Sequence, residues 1–260
     1  TFIKNKKTFN KKTKKIISSV IVTHVWGNAV DLQKLIRECK LRNIKLIEDA
    51  SESLGTFYKK KLTHTGTLGD VGVVSFNANK IITSGGGGML LTQKKEISDR
   101  AYYLSTQAKN DSFNFVHNEV GYNYRMINIA AALGLSQFEN LKYFLSRKKK
   151  IRQMYLEKIN KIKNFKLNLV PDYAQNNCWM NLIQVSGKQN TKKRIIKKFI
   201  NNKIYVRPVW KLNHTQKAFQ NFQSYQIKKA YNLFEKSICL PSSPFLTKYE
   251  LKKIVSCLSE

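Results

Sequence analysis

Lys80 stands in the stretch VGVVSFNANKIITSGGGGMLLT, Val71 to Thr92, between a β-branched apolar run and four consecutive glycines. Elsewhere the lysines gather in solvated clusters such as KNKKTFNKKTKK and RKKK. One reading of Lys80 is a surface side chain in a flexible loop. A second, phosphate cradling, fails because a P-loop places Gly-Lys-Ser/Thr after a spaced pair of glycines, and here the glycines follow the lysine. The third is covalent. An amine held near apolar surface loses proton affinity, and its neutral form condenses with a carbonyl. An aldehyde cofactor then needs a cup for its phosphate and a carboxylate for its ring nitrogen.

Two residues could meet those needs. Ser75 lies five residues before Lys80 at the end of the same predicted strand, where a hydroxyl and nearby backbone N–H groups could hold phosphate oxygens. Asp49, in LIEDASESLG, ends the preceding predicted strand. A carboxylate there keeps a pyridine nitrogen protonated and makes the ring an electron sink. A strand-end aspartate alone is more often a cap or turn former. The ordered set Asp49, Ser75, Lys80 carries more than any one member.

Positioning such a set requires strands that end together. SSVIVTHV follows a basic run as a signal peptide would, but its apolar stretch is short, holds two serines and meets His24 and Trp26, so it reads as a buried strand. DLQKLIRECK puts Leu32, Leu35, Ile36 and Cys39 on one helical face. IKLIEDA, VGVVSF and GGMLLT read as further strands. This order predicts an α/β domain with a mostly parallel sheet, in which ligands gather at the carboxyl ends of the strands. From Ile127 to about Ile162 the pattern is helical, a bridge to a small α+β domain containing MNLIQVS, the basic helix KKRIIKKFINN, the strand-like IYVRPVW and a closing helix with a capping box at Thr247 and Glu250. The expected division is 1–145 for the larger domain and 146–260 for the bridging helix and the smaller one.

Composition narrows the function classes. Lys+Arg number 47 against 16 Asp+Glu, a formal net charge of +31. That excess would ordinarily raise nucleic-acid binding, but it is nearly all lysine, travels with abundant Asn and Ile, and comes with no zinc-finger spacing or aromatic RNA-binding signature. No nucleic-acid partner is expected. Cys39, Cys178, Cys239 and Cys257 form no C-x-x-C pair, which suggests neither a zinc site nor a disulfide framework and fits a reducing cytosol. No apolar run reaches the length of a membrane span. The chain begins with Thr1, and the expectation is a fragment of a longer protein.

The motifs VTHVWGNAVD, IEDASESLG, GDVGVVSFNANKIITSGGGGM, HNEVGYNYRMINIAAALG and RPVWKLNHTQKAF resemble the DegT/StrS-type sugar-nucleotide aminotransferases, which are fold type I enzymes dependent on pyridoxal phosphate. The resemblance runs from about Lys14 to the C-terminus and is closest to enzymes that aminate nucleotide-linked 4-keto-6-deoxy sugars, those of legionaminic acid and perosamine formation among them. It implies that Lys80 binds the cofactor covalently, Asp49 pairs with the pyridine nitrogen, Ser75 contacts the phosphate and Glu52 lies beside the cofactor. It also implies that Asn123, in GYNYRM, reaches the phosphate of the neighbouring subunit in a homodimer with a shared active site. Arg207, Trp210 and His214 match the border of the sugar-nucleotide site, although an Arg-Pro strand end with an anchoring Trp explains the same residues.

The implied reaction moves an amino group from L-glutamate to the keto sugar in two half-reactions, with Lys80 carrying the proton in each. Related dehydratases replace the lysine with histidine, and here the lysine is present. Ala78 stands where relatives often have Gly. The family's chains begin roughly a hundred residues earlier, with a phosphate loop and an aromatic ring for the pyridine, so a catalytically inactive binding subunit or gene remnant is the alternative.

Overall fold

The structure is a computed structural model that describes residues 1–187 and 190–259. It divides into two compact units, Thr1–Lys142 with Pro171–Asn177, and Tyr143–Val170 with Cys178–Glu260.

The first unit is built on a four-stranded sheet in the order Ser19–Thr23, Lys45–Asp49, Val71–Ser75, Gly88–Leu91. The first three strands are parallel and the last is antiparallel. Side chains alternate along Lys45–Asp49, so Leu46 and Glu48 are buried while Lys45 faces solvent. Leu46 joins Leu32, Cys39 and Ile44 in a small core beneath the helix Gln33–Leu41. The strand expected to be buried, Ser19–Thr23, is instead an edge strand. Among the described residues it pairs with Lys45–Asp49 alone, its residues alternate between exposed and half-buried, and Ile21 is 66% exposed.

The helical signal from Ile127 to Ile162 resolves into two helices, Asn128–Glu139 and Leu141–Ile159. Asn140 makes the break. Its backbone N–H bonds back to Gln137, and its side-chain amide donates to the Ser136 carbonyl, which diverts groups that would otherwise continue the helix. Ile162 packs on the core from the turn beyond the second helix.

In the second unit an antiparallel sheet runs in the order Phe165–Leu167, Asn181–Val185, Ser237–Leu240, Arg207–Pro208. Tyr155, Ile159, Ile183, Phe199 and Ile238 are fully buried at the centre of its core. The helix Lys248–Ser259 opens with the expected capping box, Thr247 N–H donating to Glu250 Oε2 at 2.8 Å and Glu250 N–H to Thr247 Oγ1 at 3.2 Å. Only Arg207 and Pro208 of IYVRPVW pair as a strand, because proline has no N–H for the ladder. Val206 and Val209 on either side are buried. No helix among the described residues is long and apolar enough to cross a membrane.

Candidate active site

Asp49 and Ser75 close two adjacent parallel strands at their carboxyl ends, with Asp49 in register with Val73. The half-buried Asp49 carboxylate is set in a ring of donors. Thr23 Oγ1 reaches Oδ2 at 3.4 Å, the Ser51 N–H reaches Oδ1 at 3.1 Å, and the Ser51 hydroxyl also donates to Oδ1. Ser75 Oγ accepts from the Asn77 N–H at 3.2 Å, which leaves its O–H directed by whatever acceptor it meets.

Lys80 sits in the loop between the strands Val71–Ser75 and Gly88–Leu91 and is half-buried. The loop is pinned from within. Phe76, Ile81 and Ile82 are buried, Phe76 N–H bonds Gly87 O, Ser84 N–H bonds Phe76 O, and Lys80 N–H closes a turn on Asn77 O. The glycines have distinct reasons. Gly85 and Gly87 adopt left-handed φ values of +81°, and a Cβ on Gly88 would lie 2.3 Å from Val74 O. A Cβ on Gly85 or Gly86 would meet nothing within 4 Å, so open space faces the backbone there.

Glu52 ties the set together electrostatically. Its pKa is raised by burial and by the Asp49 charge, against the pull of the Trp26 N–H, which donates to Oε2 at 2.7 Å, and of Lys80. Trp26 holds that N–H in place from a left-handed conformation, φ 59° and ψ 24°, of the kind that clusters at functional sites.

Asn123 is exposed and forms an isolated bridge with Thr106. Its segment is tightly seated, since a Cβ on Gly121 would lie 2.2 Å from the Ala108 nitrogen, and Met126 borders Gly87. Arg207, Trp210 and His214 belong to the second unit. The Arg207 guanidinium bonds Tyr205 Oη, Trp210 stacks on Trp179 with centroids 6.0 Å apart, and His214 lies in the short turn Asn213–Thr215.

Sequence reasoning missed the most buried polar feature near the site. His24 and Glu48 are both 0% exposed and pair at 2.9 Å. Burial alone would raise the Glu48 pKa, yet the His24 bond and the backbone amides of Gly66, Gly69 and Leu68 hold it below the usual carboxylate range. The available signal was an acid at a core-facing position of an apolar strand. Among the described residues no group of three or more His, Cys, Asp or Glu is placed to hold a metal ion.

Residues 3–259 match the model of the DegT/DnrJ/EryC1/StrS aminotransferase family. The chain is 32% identical to EpsN of Bacillus subtilis over 246 residues, 92% of this chain and 62% of that protein. It is 32% identical to the GDP-perosamine synthase of Escherichia coli O157:H7, covering 93% of this chain and 65% of the enzyme. The chain thus spans a little under two thirds of the length of these two relatives. Among solved structures, Helicobacter pylori PseC, an aminotransferase involved in the biosynthesis of pseudoaminic acid, superposes with a TM-score of 0.85 at 22% identity, over 93% of this chain and 66% of that one. That likeness establishes the α/β fold, of the fold type I transferase class. With the family match running along almost the whole sequence, the chain belongs to the DegT/DnrJ/EryC1/StrS aminotransferase family.

Proposed function

We propose that this protein is a pyridoxal phosphate-dependent aminotransferase that moves an amino group from L-glutamate to a nucleotide-linked 4-keto-6-deoxy sugar in surface-polysaccharide biosynthesis. The observation that carries the reading is the convergence in one unit of Asp49 and Ser75 at adjacent strand ends with Lys80 in the loop that follows. The residues present fit the cofactor. An acceptor carboxylate, a hydroxyl, a half-buried amine and open space beside two glycines are the donor set and room such a group requires. When bound, the cofactor supplies an electron sink for breaking bonds at an amine-bearing carbon.

This chain's residues do the rest. Lys80 binds the cofactor through its amine and then moves a proton at the substrate carbon as general base and acid. Asp49 holds the ring nitrogen protonated, Ser75 binds phosphate, and Glu52, whose carboxyl pKa burial holds above the usual range, lies beside the cofactor. The relatives named as GDP-perosamine synthase and as a pseudaminic-acid-pathway aminotransferase support a nucleotide-sugar substrate. Arg207 is assigned to a diphosphate oxygen, Trp210 to an apolar sugar or base face and His214 to a hydroxyl.

A homodimer with Asn123 serving the neighbouring site is part of the same proposal. The helix Asn128–Glu139 contains no buried residue although it carries Ile129, Leu133, Leu135 and Phe138 on more than one side, exposed apolar surface suited to burial against a second copy. The experiment is a pair of single-turnover half-reactions. L-glutamate should convert the bound cofactor to its amine form, and a UDP- or GDP-linked 4-keto-6-deoxy sugar should return it. Conversion by neither would remove the reading.

A further inference from the structure

We propose that His24 and Glu48 form a positioning pair that aims the Asp49 carboxylate, an inference that rests on the aminotransferase reading above. Both side chains are completely buried. Val30 N–H donates to His24 Nδ1 at 3.1 Å, so the ring proton resides on Nε2, which donates to Glu48 Oε2 at 2.9 Å. Gly66 N–H donates to the same oxygen at 2.8 Å, and Leu68 and Gly69 N–H reach Oε1 at 2.7 and 2.6 Å. Four donors converge on one carboxylate, and each imidazole nitrogen has one partner.

A buried carboxylate bonded to a neutral imidazole contributes little net stability, because desolvation of the charge offsets its hydrogen bonds, and an apolar pair of similar volume would fill the same space. What this pair supplies is direction. Glu48 immediately precedes Asp49, and strand alternation turns its side chain to the opposite face of the sheet. There the turn from Gly66 to Gly69 grips it, seated so closely that a Cβ on Gly69 would lie 2.7 Å from Leu46 O. His24 holds the same strand end from the side. Its main-chain N–H donates to the Asp49 carbonyl at 3.0 Å, and the preceding Thr23 is in register with Asp49 and reaches its Oδ2. Residue 24 therefore holds the main chain of Asp49 through its own backbone and the side chain of Glu48 through its ring. Without the imidazole the main-chain bond to Asp49 remains, but Glu48 loses its side-chain partner and the strand end that presents Asp49 keeps only the Gly66–Gly69 amides on that face.

The test is a double-mutant cycle with a spectroscopic readout, using the protein loaded with ring-15N-labelled pyridoxal phosphate. His24→Leu removes both hydrogen bonds of the ring, whereas His24→Gln retains a donor for Glu48. In the otherwise wild-type protein, His24→Leu should slow the L-glutamate half-reaction about 100-fold and His24→Gln about 10-fold, the range seen when an orienting partner is lost. In an Asp49→Asn background each should cost less than about twofold, because residues acting through one group are non-additive. The ring-nitrogen resonance should move toward the unprotonated form in His24→Leu and sit between the two in His24→Gln. Equal losses in both backgrounds, or an unchanged ring-nitrogen resonance, would overturn the proposal and leave the pair as scaffold. If His24→Leu fails to fold, His24→Gln alone is held to both criteria. A wild-type protein giving no bound-cofactor resonance would overturn the aminotransferase reading itself, and this proposal with it.

Discussion

Lys148→Met should abolish a rise in stability with pH that the native protein shows above about pH 8. Lys148 is 5% exposed, and its Nζ donates to the carbonyls of Trp179 at 3.2 Å and Ser242 at 2.7 Å. Burial pushes its pKa from the ordinary 10.5 down to about 8, against a smaller pull from Cys178. A neutral amine has two N–H bonds and two carbonyls accept them, so the uncharged form keeps both hydrogen bonds. Below pH 8 the folded and unfolded chains both hold the proton, and the buried ammonium costs about 3 kcal/mol at about 1.4 kcal/mol per pH unit between the two pKa values. Between pH 8 and 10.5 only the unfolded chain still holds it. Stability then rises by about 1.4 kcal/mol per pH unit, since the unfolded state binds the additional proton. The carbonyls left without their donor in Lys148→Met lower stability by an amount independent of pH, so the slope is the readout and the offset is not. Urea unfolding of native and variant protein at several pH values between 7 and 10 measures it. A stability difference between the two that stays flat across that range would refute the reasoning.

Asp49→Asn should retain part of the cofactor affinity yet slow both half-reactions by about 10²–10³-fold, the cost of removing one aligned electrostatic partner; near-normal turnover would make Asp49 merely structural. Arg207→Ala should raise KM for the keto sugar nucleotide about tenfold or more, as expected for a lost hydrogen bond to a charged group, and His214→Ala about fivefold, as for one to a neutral hydroxyl, while the L-glutamate half-reaction stays within about twofold. Equal damage to both half-reactions, or a lowered Tm alone, would assign the segment to scaffold. Ile129→Asp and Leu135→Asp, at positions 81% and 60% exposed in the single chain, should convert a dimer to monomer by size-exclusion chromatography with light scattering, because burying an unpaired carboxylate costs several kcal/mol. A dimer that survives both substitutions places the interface elsewhere.

The strand order and the candidate site were legible in the sequence to different degrees. β-branched runs separated by an amphipathic helix announced a parallel sheet, and they put Asp49 and Ser75 at strand ends, where the structure has them. The edge position of Ser19–Thr23 was not legible, since Val and Ile suit an edge strand as well as a central one and the neighbour on the open side is not written in the strand itself. Helical periodicity located the stretch around Ile151 and Tyr155 but gave no warning of the break at Asn140, which depends on one local side-chain bond. The return of Pro171–Asn177 to the first unit, where Ala174–Gln175 pair with Phe57–Tyr58, is a long-range contact without local signature. His24 and Glu48 escaped for the same reason. They are 24 residues apart, and only folding shows that each satisfies the other.

Whether Lys80 holds an aldehyde cofactor covalently is decided by borohydride reduction of the pyridoxal phosphate-loaded protein followed by peptide mapping. One stable phosphopyridoxyl adduct is expected, on the peptide containing Lys80, with loss of the visible absorbance band and no such adduct in Lys80→Ala. An adduct that persists in that variant, or that maps to another lysine, would contradict that attachment.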